Sequence, residues 1–136
     1  MTIKQSLINW LQLYPNFEIE DFVETDIAKD DGYAVAKEPN IVTNTFLDGS
    51  QQRTEYYTFV AKKITTNNAL RKSTDEFLED FEDWIYTKNL NGDYPTLKEK
   101  CYCDNISISS TYYLQSNEEK YGMYVFTIEI TYRKEL

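Results

Sequence analysis

The sequence predicts an α+β fold, a mainly antiparallel sheet with two α-helices packed on one face, in a single domain over residues 1–136. Three observations lead there. Two segments repeat apolar residues at helical spacing, and other segments alternate with a period of two. The order is helix, strands, helix, strands, without the regular strand-helix alternation of a parallel sheet. A chain of 136 residues is the usual size of one compact domain. Its 41% hydrophobic residues, with 15% aromatic, suffice for a core despite 27% charged residues. No internal repeat, low-complexity tract or linker divides it.

Thr2 and Gln5 have the spacing of a capping box, and Ile3, Leu7, Trp10, Leu11 and Tyr14 share one helical face until Pro15 forbids continuation. A first helix is expected from Ile3 to about Leu13. Beyond it, Ile19, Phe22 and Val23 fit a short strand, Asp30-Asp31-Gly32 a turn, and Tyr33 to Ala36 a second strand. Ile41 to Phe46 favours extended structure, Asp48-Gly49 supplies the positive φ of a tight turn, and Thr54 to Lys63 returns as a strand. In that strand Tyr57, Phe59 and Ala61 share one face while Tyr56, Thr58 and Val60 share the other, so both faces are expected to be covered.

Ser73 and Glu76 repeat the capping-box spacing, and Phe77, Leu78, Phe81, Trp84 and Ile85 trace one stripe of a second helix that ends near Asn89 to Gly92. Asp75, Glu76, Glu79, Asp80, Glu82 and Asp83 then fall in its first half, where the helix dipole favours each acid by about 0.3–1 kcal/mol. Burying the apolar stripe, at roughly 1.5–3 kcal/mol per side chain, outweighs that, so the stripe is expected to face a core or a partner. After Tyr94-Pro95, Cys101 to Ser109 reads as a strand and Gln115 to Lys120 as an exposed loop tip. Gly122 to Arg133 sets Tyr124, Phe126, Ile128, Ile130 and Tyr132 against Val125, Thr127, Glu129 and Thr131, as a half-buried antiparallel strand does.

Catalytic chemistry is hard to assemble from these residues. There is no histidine, which removes the commonest general base and the Ser-His and Cys-His pairs. Cys101 and Cys103 lie two apart on one strand face, would make a strained bridge, and lack the second cysteine pair of a structural zinc site. They are expected to be reduced thiols, and no metal is expected. Gly32, Gly49, Gly92 and Gly122 are isolated, so no P-loop or dinucleotide fingerprint forms, and no cofactor is expected. Glu24, Asp26, Asp30 and Asp31 do not follow EF-hand spacing and read as an acidic loop. A carboxylate pair acting as acid and base is the one enzymatic alternative, and most acids lie in turns or on a solvated helix face.

Fourteen Lys and Arg against 23 Asp and Glu give a net charge of −9, which disfavours gripping a phosphate backbone. Tyr56-Tyr57, Tyr112-Tyr113 and the set Tyr121, Tyr124 and Tyr132 lack the basic neighbours of a base-stacking surface, and core packing or subunit contact explains them better. No run approaches the length of a membrane helix, and MTIKQSLINWLQLYP is amphipathic rather than a signal peptide, so a soluble, intracellular chain without membrane partners is expected.

Four passages carry a family resemblance: the opening helix IKQSLINWLQLYPNF, the hairpin IVTNTFLDGSQQRTEYYTFVAKK, the helix and turn DEFLEDFEDWIYTKNLNGDYPTL, and the closing strand YGMYVFTIEITYRKE. Taken together, over nearly the whole chain, they resemble the phage and prophage proteins labelled minor capsid protein, which look like tail terminator or tail-completion proteins of long-tailed phages. The resemblance implies a non-enzymatic virion structural protein with a tail-terminator-like fold. It implies a homo-oligomer, a six-fold ring that caps the tail tube, ends tube polymerisation and offers the surface that joins the head. The implied partners are the tail tube protein and a head-completion or connector protein, with genomic DNA passing the lumen without specific binding. The implied location is the neck of the virion, after assembly in the host cytoplasm. Because the family has no active site to map, the residues nominated are contact surfaces to neighbouring subunits or the tube: Asp26, Asp30, Asp31, Tyr33, Asp48, Gly49, Tyr56, Tyr57, Asn117 and Glu118. An acidic inhibitor that imitates DNA and occupies a host nucleic-acid enzyme is the alternative reading.

Overall fold

Thr2 starts the first helix as its sequence signature requires. Its Oγ1 accepts from the Gln5 N–H at 3.0 Å while Gln5 Oε1 accepts from the Thr2 N–H at 2.9 Å, closing a capping box. A computed structural model describes residues 1–15, 22–23, 32–64, 67–118 and 120–136. In it α1 spans Ile3–Leu11, β1 Phe22–Val23, β2 Tyr33–Thr45, β3 Gln51–Ile64, α2 Asn68–Leu90, β4 Cys101–Glu118 and β5 Tyr121–Lys134. The five strands form one sheet in the order β1-β2-β3-β5-β4. Among the described residues, β1 and β2 run parallel, through Phe22–Tyr33 and Val23–Ala34, and the other pairings are antiparallel. The fold is α+β, as expected.

Several element boundaries differ from the sequence reading, each for a local reason. The two short strands expected before the hairpin turn are one strand, β2, joined through a register shift between Lys37 and Ile41 that contains Pro39. Proline has no N–H to give a ladder, so it is tolerated at such an irregularity on a sheet edge. Ile19 and the Asp30-Asp31 turn lie outside the described residues. Gln115 to Glu118, expected in a loop, continue β4, and Ser116, Asn117 and Glu118 pair with Met123, Gly122 and Tyr121. The polar composition there reflects exposure of a strand, not its absence. Four register shifts along β4 let this long strand stay paired while its sequence departs from strict alternation.

The second helix begins earlier than its capping-box signal. Asn67 is the N-cap, its side-chain oxygen accepting from the Leu70 N–H at 2.9 Å, and Ser73 sits inside the helix. No acid therefore lies in the first turn, and Asp75 to Asp83 are beyond the reach of the dipole invoked for them. The apolar stripe does face the core. Leu78, Phe81 and Ile85 are fully buried, with Phe77 and Trp84 packed at the margin.

Both helices lie on the sheet face formed by Tyr57, Phe59 and Ala61 of β3 and by Tyr124, Phe126, Ile128, Ile130 and Tyr132 of β5. Phe59 stacks on Phe126 with centroids 4.7 Å apart, and Phe81 meets Phe59 at 5.1 Å and Phe126 edge-on at 5.7 Å. Tyr14 and Trp10 bring α1 onto the same cluster, at 5.0 Å from Phe81 and Trp84 respectively. Trp10 Nε1 also donates to the Asp93 carbonyl at 2.9 Å, fixing α1 to the turn after α2. Asn89 extends the tie to β4, its Oδ1 accepting from the Ile106 N–H at 3.0 Å. Asn67→Ala should cost about 1 kcal/mol in urea unfolding by uncapping α2, whereas Ser73→Ala should stay within about 0.5 kcal/mol; the opposite order would place the helix start at Ser73.

Candidate functional site

The hairpin between β2 and β3 carries two of the nominated contact residues, and its geometry follows from three of its own. Phe46 N–H donates to the Ser50 carbonyl at 2.8 Å and Gly49 N–H to the Phe46 carbonyl at 3.0 Å, leaving Leu47, Asp48 and Gly49 as the connection. Gly49 has φ of +90°, a conformation that L side chains rarely adopt. The Asp48 carboxylate accepts from the Ser50 N–H at 2.9 Å and the Ser50 hydroxyl at 2.6 Å, bonds that hold its pKa below the ordinary value. Phe46 and Leu47 are exposed at the tip, and Leu136 packs over Gly49. A cleft of about 530 Å³ opens beside this tip, lined by Phe46, Asp48, Gln52 and Arg133 among others.

The remaining nominated residues divide. Tyr33 and Tyr57 are buried at 3% and 1% exposure, so neither offers a surface to a neighbour. Tyr33 stacks against Phe59 and Phe77, and its hydroxyl accepts from Lys63 Nζ at 2.6 Å. Tyr56 points to the opposite sheet face and donates to Glu129 Oε1 at 3.4 Å. Asn117 is exposed near the end of β4, and Glu118 pairs with Tyr121 in the ladder. Asp26, Asp30 and Asp31 lie outside the described residues. The hairpin tip, Tyr56 and the β4–β5 end are thus separate surfaces, not one site.

Sequence reasoning missed the most unusual polar group. Glu55 is 2% exposed on the core face of β3, where Tyr57 Oη donates to its Oε1 at 2.9 Å, Tyr132 Oη donates to its Oε2, and Lys37 Nζ stands 3.3 Å from Oε1. Burial raises its pKa, but the Tyr132 and Tyr57 hydroxyls and the Lys37 ammonium lower it further, and the carboxyl ends below its ordinary value. The same burial and the nearby carboxylate push both tyrosine hydroxyls upward. A carboxylate that is enclosed, ionised and already holding three donors is a structural anchor; it is unsuited to taking a proton from a substrate. The period of two could have revealed it, since continuing the face of Ala61, Phe59 and Tyr57 by one step reaches Glu55.

The sheet face away from the helices is different in kind. Thr54, Tyr56 and Thr58 of β3 and Thr127, Glu129 and Thr131 of β5 are half-buried there. Thr54 and Thr131 hydroxyls lie 3.0 Å apart, and Glu38 Oε1 accepts from Thr58 at 2.9 Å and Thr127 at 3.4 Å. Among the described residues, this face is closed toward the Val60 end by the buried cluster of Ala34, Val60 and Val125. The expectation that both faces of this strand are covered is met at Val60, whereas Thr54, Tyr56 and Thr58 are half-buried.

Among the described residues, no group of three or more Cys, Asp or Glu is placed to hold a metal ion, and no helix is long and apolar enough to cross a membrane. Cys101 and Cys103 are both free, and burial pushes the Cys103 thiol up to about 12, so it stays protonated at neutral pH. No family model and no curated protein matches this chain.

A folded-state pKa below the unfolded one gives Glu55 a stabilising contribution that is present above its ordinary value of 4.5 and lost as pH falls through the folded value. Glu55→Gln should cost about 1.5–3 kcal/mol at pH 7 and flatten the acid limb of a stability–pH curve; an unchanged acid limb would exclude Glu55 as its source.

Proposed function

We propose that this protein is a phage tail terminator: it forms a ring at the head-proximal end of a tail tube, halts subunit addition and presents the surface that joins the head. The observation that carries this reading is the asymmetry of the sheet. One face is sealed by both helices, while the other is a half-exposed row of Thr, Tyr and Glu side chains, with Glu38 and Glu129 at its centre. A wall of hydroxyls and carboxylates on a chain of net charge −9 suits a passage that DNA crosses without sticking.

The parts needed to meet neighbours are also there. A cyclic ring requires a heterologous contact between two different patches. The hairpin tip offers exposed Phe46 and Leu47, and the groove between α2 and β4 offers exposed Tyr86 beside Ile106 and Ile108. No nominated residue has a catalytic role in this reading, because the action is occupancy: the ring replaces the next tube subunit with a surface on which nothing further stacks. The passages quoted above for the resemblance coincide with α1, the β2–β3 hairpin, α2 with its following turn, and β5.

Deleting the gene should yield tails of uncontrolled length that fail to join heads, seen by electron microscopy of lysates and restored by supplying the protein in trans. Tails of normal length and full particles from the deletion would overturn the reading.

A further inference from the structure

The groove between α2 and β4 has a floor, a wall and a rim of different chemistry. Its floor is Ile108, half-buried, beside the fully buried Ile106. Its wall is Tyr86, 66% exposed and without a ring or cation contact among the described residues. Glu82 and Asp83 form the rim. The Glu82 carboxylate is fixed there, Oε1 accepting from the Tyr112 N–H at 2.7 Å and Oε2 from the Thr111 hydroxyl at 2.9 Å. Asp83 is exposed, and among the described residues it has neither a hydrogen bond nor an ion pair. At about 270 Å³ the groove falls below the roughly 300–1,000 Å³ of a small-molecule site, so it suits one long side chain reaching in from another protein.

The charge around this groove has one sign. From Thr74 to Tyr86, α2 carries six acids and no lysine or arginine, and β4 has neither base from Cys101 to Glu118. Lys88, further along α2, is engaged by Asp93 at 3.6 Å and by the Trp84 ring at 5.6 Å. A cleft lined by one sign of charge concentrates the opposite sign. Acids alone would not choose between cations; the floor and the wall do. A lysine ammonium is compact and strongly hydrated, and sheds its water poorly against apolar side chains. A guanidinium is planar and weakly hydrated, stacks on an aromatic ring, and meets carboxylates through paired N–H groups.

We propose that this groove receives an arginine side chain from a partner protein, its methylene stem on Ile106 and Ile108, its guanidinium against the Tyr86 ring and the carboxylates of Glu82 and Asp83. Charge argues for a different protein as the source, since copies of a chain with net charge −9 repel. The three arginines of this chain are also engaged at home. Arg53 Nε donates to Gln51 Oε1 at 2.9 Å, Arg133 stands 3.9 Å from Asp104, and Arg71 interacts within the chain. The inference goes beyond the ring reading and does not rest on it: with the groove so occupied, a ring draws its second patch from elsewhere on the chain.

The test titrates the full chain, labelled at its isoleucine methyl groups, with acetyl-Gly-Arg-Gly-amide and with the lysine counterpart at low salt. The arginine peptide should shift the Ile106 and Ile108 methyl signals saturably, with a Kd on the order of millimolar. The lysine peptide should bind at least about threefold more weakly. Asp83→Asn and Tyr86→Ala should each weaken the arginine peptide by about two- to fivefold, the effect of losing an exposed ion pair or cation–π contact. Both residues are exposed, so both variants should keep the parent's unfolding midpoint. An equal response to the two peptides, no saturable shift, or variants that bind like the parent would overturn the proposal. So would groove signals that move with protein concentration alone, the mark of a second copy in the groove. None of these outcomes bears on tail length in the gene deletion, and tails of normal length there would leave the groove's occupant untouched.

Discussion

Phe59 of β3, Phe126 of β5 and Phe81 of α2 meet within 4.7 to 5.7 Å, and the rest of the molecule is arranged around that contact. It joins the two central strands to each other and to the long helix at one point. Aromatic rings in offset or edge-on contact contribute about 0.5–1.5 kcal/mol per pair beyond the area they bury. Tyr14 brings the first helix to the same point through Phe81. A single hub of this kind explains how 136 residues with 27% charge hold two helices on one face. It also leaves the second sheet face largely free of the core, so that face can be polar without destabilising the fold.

Much of this is legible in the sequence, and the failures have physical causes. The alternation in β5 and the capping box at Thr2 both match, because each is a local signal that no distant contact opposes. The stripe Phe77 to Ile85 reads correctly as core-facing, yet the capping pattern puts the helix start at Ser73 instead of Asn67. Ser73 and Glu76 satisfy that pattern by residue type, and only the backbone decides where the helix begins. The length of β4 is hidden because its shifts interrupt the period of two and its last residues are polar. Of the candidate contacts, the Asp48-Gly49 turn is visible from residue type alone. The burial of Tyr33 and Tyr57 is not, since a tyrosine on a strand serves equally as core or as surface.

Glu55 shows how a polar group can organise a largely apolar layer. Its partners come from β2, β3 and β5, so one carboxylate ties three adjacent strands. Lys37 stands next to the irregular part of β2, and its contact with Glu55 fixes the strand where the ladder slips. The ion pair adds little by itself, because the lysine side chain is 53% exposed. The two tyrosine hydroxyls matter more, as buried donors that would otherwise have no acceptor. The hairpin that projects beyond this anchor is thereby held in one direction, as any contact surface on it requires.

The strand order also has a consequence for how the chain is made. β3 finds its second neighbour not in the next strand but in β5, with α2 and β4 synthesised between them. On the ribosome, the β2–β3 hairpin and α2 are therefore complete while the second edge of β3 still lacks its partner and Phe59 still lacks the Phe126 ring that stacks on it. Sheets whose central seam is closed last fold slowly and expose sticky surface meanwhile. The interval between those two strands is when the nascent chain exposes an unpaired central strand.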